Sequence, residues 1–418
     1  MGSLELSACF PSLSANELVL LATRSERIPL ILGALDDGCQ CSVLDAVPVQ
    51  IGMSGSDPVH LVPRFVLHGC ALNSRDDQFH TVHIECSHLA AWIGKHPKQD
   101  VQELSVKLEY SLKADEVLGA DVAQPSGHLS IQSWLSPSYP ATEFVITSHA
   151  AWAFNATSSV GLETLLSVTR HCQNFLTLVL GKPSNVLAVV VVPEAAPLGA
   201  SLITSMIRSP DNKTGYPDPL LRFDQLGADG SAVLKKWFEI REDFNEVLSM
   251  MFASKYISSY TTTEFLNLVQ ALESFHRRKF GGRYYSETDY RSIHRSLLDA
   301  TPAGLADDFQ DKLKGLYEFA NEYNLRKRLR ELFASLSPSV RGWIRGDEGA
   351  FIQKVVRTRN YLTHLDPRSR VDSFIRGEDD LGDLWQANIT LNGLATALFL
   401  QIIGVPETAI SGRMFRPI

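Results

Sequence analysis

Nothing in the 418-residue chain is long and apolar enough to cross a bilayer. The longest apolar run, VLAVVVV at Val186–Val192, falls far short of the roughly 20 residues a helical span needs. The opening MGSLELSACF lacks both a basic and an apolar signal region, so a chain without a secretion signal is expected. Cysteine is scarce: six residues, all between Cys9 and Cys172. Their irregular spacing, with no signal ahead of them, reads as reduced cytoplasmic thiols rather than a disulfide framework. There is no Walker loop, no GxGxxG and no GxSxG elbow, which removes the motif-based phosphate-loop, dinucleotide and hydrolase readings. Internal repeats and low-complexity tracts are absent. Positive charge is not in excess either: the net charge is −8, so bulk charge does not announce a nucleic-acid binder.

What is present is ordinary globular composition, 44% hydrophobic and 21% charged, enough for two or three domains. Charge divides unevenly. Residues 1–200 hold 10 Lys and Arg against 19 Asp and Glu, and residues 201–418 hold 29 against 28. The texture changes as well. IPLILGAL, CSVLDAVPVQIG, RFVLHGCAL, FHTVHIEC and LSVKLEYSL are short runs between turn residues and predict strands; Val106, Leu108, Tyr110 and Leu112 alternate onto one face. VGLETLLSVTRHCQNFLTLVLGK predicts a helix ending at Gly181, and Val186–Val192 a buried strand. SPDNKTGYPDP, Ser209–Pro219, is the expected joint. From Gly230 the pattern is helical: SAVLKKWFEIREDFNEVLSMMF is one amphipathic stretch, and a helix over Thr261–Phe280 has capping-box spacing at Thr261 and Glu264 and a Gly281–Gly282 stop. Further helices are expected near Tyr290–Leu298, Phe309–Tyr323, Leu325–Leu336, Gly349–Leu365 and Leu384–Ile403. The expected fold class is therefore α+β and multidomain: a β-rich, sandwich-like domain with a few helices over 1–208, a linker and connecting helix over 209–260, an all-α bundle over 261–405 and a tail over 406–418.

The stretch VVRTRNYLTHLDP, Val355–Pro367, breaks its own apolar pattern. On a helical wheel with Phe351 at 0°, Leu362, Val355 and Ile352 lie at about 20°, 40° and 100°, and Arg359 falls among them at about 80°. Asn360 and His364 share a polar ridge at about 180° and 220°, one turn apart. Tyr361 lies on the outer face at about 280°. A charge inside an apolar stripe needs a partner. The Thr261–Phe280 helix places Glu273 and His276 on or beside its own apolar face, so Glu273 is the expected fork acceptor for Arg359.

Other clusters compete. HRRKFGGR, with Arg277, Arg278, Lys279 and Arg283, and LRKRLRELF could hold an RNA backbone or be solvated faces balanced by acids. FHTVHIECSH gathers His80, His83, Cys86 and His88, but strand alternation sets His80 and Cys86 on one side and His83 on the other. Cys39 and Cys41 lack a second pair. No metal site is expected.

Arg359-Asn360-Tyr361-Leu362-Thr363-His364 resembles the Arg-x-x-x-x-His signature of HEPN domains, all-α domains that frequently act as metal-independent ribonucleases. FLNLVQALESFHRRKF is similar to the first long helix of the ApeA-like branch. RTRNYLTHLDP, at the expected remove, resembles its catalytic helix. LLRFDQL and LKKWFEI resemble the junction of that branch's β-rich and HEPN domains. The resemblance is clearest from Leu220 to Ile403 and looser before Ser148. It implies a bacterial abortive-infection factor that cleaves RNA during phage infection and pairs two HEPN domains around one cleft. The residue types suit the chemistry. RNA supplies a 2′-OH nucleophile, His364 can exchange its proton, Arg359 can stabilise charge on the phosphate, and Asn360 can orient the phosphate or the imidazole. Glu273, His276 and Tyr361 are expected in support, with no cofactor. A non-catalytic sensor or adaptor on the same scaffold, and a toxin held by a separate antitoxin, are the alternatives; the large fused front domain argues for built-in control.

Overall fold

The computed structural model describes residues 6–8, 27–35, 38–50, 59–95, 98–102, 105–109, 113–140, 143–194, 198–205, 218–256, 260–344, 346–377, 381–410 and 412–416. The side chains of 6–8, 48–50, 59–60, 98–102, 105–109 and 381 are outside that description. Cys9, Tyr110, Leu112 and most of the expected joint at Ser209–Pro219 also fall outside it. The chain divides into two units, Met1–Glu239 and Ile240–Ile418.

The first unit is built on antiparallel strands. They are β1 (Leu6–Ala8), β2 (Ile28–Ala34), β3 (Gln40–Gln50), β4 (Val59–Val62), β5 (Phe65–His68) and β6 (Phe79–Cys86). A short hairpin of β7 (Lys98–Gln102) and β8 (Ser105–Glu109) stands apart from the main sheet. Then follow β9 (Asp115–Ala123), β10 (Ser126–Ser138), β11 (Val145–Val160), β12 (Val186–Pro193) and β13 (Ala200–Ile203). Hydrogen bonding joins all but the hairpin into one sheet in the order β1-β4-β3-β5-β13-β12-β6-β11-β10-β9, with β2 against β3.

Two-residue periodicity decides which face is buried. On β10 Leu129, Ile131 and Leu135 are buried, while Gln132 and Trp134 between them are half-exposed. On β11 Trp152 and Phe154 are fully buried. Helix α1 (Leu89–Ile93) and helix α2 (Leu162–Leu180) supply apolar side chains to the same core. Phe175 of α2 meets Trp92, Trp152 and Trp237 edge-on at ring distances of 6.2, 5.9 and 5.8 Å. Each buried ring contributes roughly 2–3 kcal/mol by desolvation alone, and edge contacts add to this. The helix stops at Gly181, whose φ of 76° and N–H bond to Thr177 form the left-handed cap. A Cβ there would lie 2.8 Å from the Leu220 side chain, so glycine is required twice over.

The expected boundary at 208/209 is corrected by what happens after the joint. Leu221 N–H donates to Val179 O at 3.0 Å, and Trp92 Nε1 donates to Leu221 O at 2.8 Å. Helices α3 (Phe223–Leu226) and α4 (Gly230–Glu239) follow. On α4, Trp237 stacks on His171 at 4.5 Å, and the two residues exchange side-chain-to-carbonyl bonds of 2.9 and 3.1 Å. Residues 218–239 therefore belong to the sheet unit. The stretch read as one amphipathic helix is two, α4 and α5 (Arg241–Tyr256), parted at Ile240.

The second unit is helical. After α5 come α6 (Thr261–Phe280), α7 (Glu287–Asp299), α8 (Asp307–Phe319), α9 (Leu325–Ser335) and α10 (Pro338–Arg341). The last are α11 (Glu348–His364), α12 (Pro367–Arg370) and α13 (Leu381–Ile402). Phe244, Phe275 and Phe399, from α5, α6 and α13, form one ring cluster with centroids 5.1 to 5.8 Å apart. The capping box expected at Thr261 is absent: Tyr260 is the N-cap, and Glu264 instead accepts from Asn388 Nδ2 of α13 at 3.2 Å. Tertiary pairing here outranks a local cap.

Candidate active site

Helix α11 starts where Asp347 accepts from the N–H groups of Gly349 and Ala350 at 2.7 and 3.3 Å. It ends at Leu365, whose φ is 52° and whose N–H returns to Tyr361 O at 2.6 Å. Ile352, Val355 and Thr358 are its fully buried residues. Thr358 locks the helix to the segment beyond it, because its hydroxyl donates to Lys354 O at 2.8 Å and accepts from Phe374 N at 2.9 Å. The last two turns, beyond Thr358, carry Arg359, Asn360 and His364.

Arg359 is half-buried, and one of its guanidinium nitrogens donates to Asn360 Oδ1 at 3.3 Å. The long side chain thus swings from its place in the apolar stripe to the polar edge. The fork expected between Arg359 and Glu273 is not formed. Glu273 accepts from Arg277, one turn along its own helix, at 3.3 Å, a partner requiring no approach between helices. His364 is exposed, with no side-chain partner among the described residues. Tyr361 is half-buried, with the Arg370 guanidinium 5.8 Å from its ring centre.

His276 has a different setting from the one expected. It is fully buried, with Nε2 2.8 Å from Glu331 Oε2 and Nδ1 3.2 Å from an Arg328 nitrogen. A guanidinium only donates, so Nδ1 accepts and the proton sits on Nε2: the imidazole is neutral. Burial, ahead of the opposing pull of Glu331, pushes its pKa below the usual value, and Arg328 adds to the lowering. Arg328 is itself 1% exposed and donates also to Tyr323 O at 2.9 Å and Gly281 O at 3.1 Å. Glu322 joins Arg277 at 2.6 Å and Arg328 at 3.6 Å. Gly282, with φ of 88°, admits this network, since a Cβ would lie 2.7 Å from Arg328. His276 therefore braces α6 against α9, Glu273 is tied within α6, and neither makes a side-chain bond to the α11 motif among the described residues.

The basic cluster at the end of α6 is largely neutralised. Besides Arg277, Arg278 pairs with Glu246 at 2.8 Å and bonds Asp243 O, and Arg283 pairs with Glu287 at 3.2 Å. Lys279 is exposed. The segment around the motif is the reverse. Arg357, Arg359, Arg368 and Arg370 have no carboxylate partner among the described residues, and Arg370 Nε is buried without a hydrogen-bond partner. Asp366 is committed to capping α12 through Arg368 N and Ser369 Oγ, and Asp372, two residues beyond Arg370, is exposed and not paired with it. Arg357, Arg368 and Arg370 were missed by sequence reasoning, although RTRNYLTHLDPRSR displays their density. Beside the first half of α11 a cavity of about 790 Å³ is lined by Phe351, Lys354, Phe374, Gln386, Phe415 and Arg416, among others. In the first unit, His80 is exposed while Cys86 is buried with its thiol pushed up to about 12 by burial, so these two do not share a site. No group of three metal-ligating side chains occurs among the described residues.

The helical unit that carries this motif is a HEPN domain: the Apea-like HEPN family model matches residues 266–409. The ApeA N-terminal domain 1 model matches residues 2–237, ending two residues before the boundary between the units. That match spans more than half of the chain, and the protein belongs to the ApeA family. Its domain composition is that of an abortive-infection-type antiphage protein. No curated protein and no solved structure matches the chain.

Proposed function

We propose that the protein is a metal-independent endoribonuclease that acts in antiphage defence, with the end of α11 as its catalytic edge. The observation that carries this reading is the Arg359-Asn360-His364 set at the C-terminal end of a HEPN helix, with Arg359 uncommitted to any carboxylate among the described residues and bonded to Asn360. In the reaction the RNA 2′-OH attacks the adjacent phosphorus and loses its proton, and the 5′-oxygen leaves and gains one. The products are a 2′,3′-cyclic phosphate and a 5′-hydroxyl. His364 transfers protons, Arg359 stabilises the negative charge that gathers on the phosphorane oxygens, and Asn360 orients the phosphate. Metal is not required for these steps, because the guanidinium supplies the fixed positive charge. Two copies pair through the HEPN domain so that both motifs face one cleft, and the acidic first domain restrains the cleft until infection. Tyr361 contacts RNA at the rim. The test is cleavage of a single-stranded RNA by wild-type, Arg359→Ala and His364→Ala proteins. Loss in both variants is expected; cleavage at the wild-type rate by either would overturn the assignment.

A further inference from the structure

On the face of the main sheet opposite the tryptophan core, four strands frame a cavity of about 370 Å³. Ala151 and Ala188 are its smallest strand residues; Val190 adds an apolar wall, and His83, Glu85, Gln132 and Trp134 supply polar groups. Register places them together: Ala188 lies opposite Glu85, Val190 opposite His83, and Ala151 opposite Gln132. Small residues in the middle of a pleated face leave a hollow where larger neighbours would meet.

Several polar residues elsewhere in this part of the unit have partners, although Ser130 Oγ, Ser148 Oγ and Trp152 Nε1 are buried without one. His128 bonds Asp121 at 2.8 Å, Thr81 bonds Asn155 at 2.9 Å, Lys95 pairs with Asp115 at 2.8 Å, and Ser136 bonds His149 at 2.7 Å. The four polar residues lining the cavity do not. The side chains of His83, Glu85 and Gln132 and the indole N–H of Trp134 have no hydrogen-bond partner among the described residues. Trp134 is nevertheless fixed in place, stacked on His149 at 5.4 Å with ring planes 11° apart. An apolar hollow with a few convergent, uncommitted polar groups is how small-molecule sites are built.

We propose that this cavity binds a planar, uncharged heteroaromatic base bearing two adjacent N–H donors, the edge presented by guanine. The aromatic requirement comes from Trp134, since base-on-indole stacking contributes on the order of 1–3 kcal/mol. The donor requirement comes from Glu85, the one charged group among the described residues of the lining and an acceptor with two oxygens. Gln132 and the neutral His83, whose pKa burial pushes below its usual value, each offer both a donor and an acceptor to the remaining polar edge. Among the described residues no Lys or Arg lines the cavity, so none of them offers phosphate a cation and a nucleoside is preferred to its nucleotide. This site is independent of the ribonuclease reading.

The probe is guanosine, titrated into the full chain by calorimetry, with adenosine and guanosine 5′-monophosphate as comparisons. Guanosine binds, and adenosine, with an acceptor where guanine has its ring N–H, binds at least about tenfold more weakly. The monophosphate binds no better than guanosine. Glu85→Gln and Trp134→Ala each weaken guanosine about tenfold or more, and Ala188→Leu, which fills the hollow from a half-exposed position, abolishes binding with an unchanged melting temperature. Absence of guanosine binding, equal binding of guanosine and adenosine, or full binding by the folded Ala188→Leu protein would overturn the proposal.

Discussion

Two arginine-rich stretches of the helical unit differ in what surrounds them. At the end of α6, Arg277, Arg278 and Arg283 each have a glutamate within 3.3 Å. Along α11 and α12, Arg357, Arg359, Arg368 and Arg370 have none among the described residues. Composition alone ranks the first stretch as the better RNA surface, because its basic residues are contiguous in HRRKF. A phosphate approaching α6 must displace carboxylates already in place, whereas one approaching α11 meets guanidinium groups with no carboxylate partner among the described residues.

The comparison breaks most sharply on activity. Arg359→Ala is expected to lower the cleavage rate at least about a hundredfold, while Arg278→Ala leaves it within about threefold; similar losses in single-turnover assays would erase the distinction. The next effect is on stability. Arg328→Met leaves Tyr323 O, Gly281 O and His276 Nδ1 without their donor, while Glu322 keeps Arg277; a loss of about 1–3 kcal/mol is expected from urea unfolding. A change below about 1 kcal/mol would show that this network does not hold α6 to α9.

A smaller effect separates the two stretches as RNA surfaces. Arg368→Ala and Arg370→Ala should weaken RNA binding by the His364→Ala protein and flatten its salt dependence, each by about 0.7 in the log–log slope. Arg283→Ala should leave the slope unchanged. The slightest effect is on pH dependence. His276 is neutral when folded and has a depressed pKa, so the unfolded chain binds the proton first as pH falls. Its contribution is complete above about pH 6.5 and declines as pH drops from there toward the folded pKa. Melting temperatures of wild type and His276→Gln should therefore converge on acidification from pH 7.5 to 5.5; parallel profiles would refute the neutral assignment.

Much of this was legible in the residues and some was not. Helix α11 lies within one residue of its expected ends at Gly349 and Leu365, because apolar spacing and the cap at Asp347 act locally. The wheel also set Arg359 inside the apolar stripe and Asn360 and His364 on the polar edge. It could not say which partner Arg359 would take: the face of a helix is a local property, but its neighbour is not. Glu273 was the plausible acceptor across a helix pair, yet Arg277 lay one turn away on the same helix. The break at Ile240 was hidden for a related reason. Trp237 and Phe244 continue one amphipathic rhythm, although the first packs on His171 and the second on Phe275. The cavity at Glu85 and Trp134 had no sequence signature, because its walls come from strands far apart in the chain and only register brings them together.

The central claim is that the end of α11 drives attack by the RNA's own 2′-OH. It is tested most directly by giving wild-type and His364→Ala proteins one single-stranded RNA and its 2′-deoxy counterpart, and reading the product ends. The account predicts cutting of the RNA alone, by wild type alone, leaving a 2′,3′-cyclic phosphate and a 5′-hydroxyl. Cleavage of the deoxy strand, or undiminished cutting by His364→Ala, would contradict it.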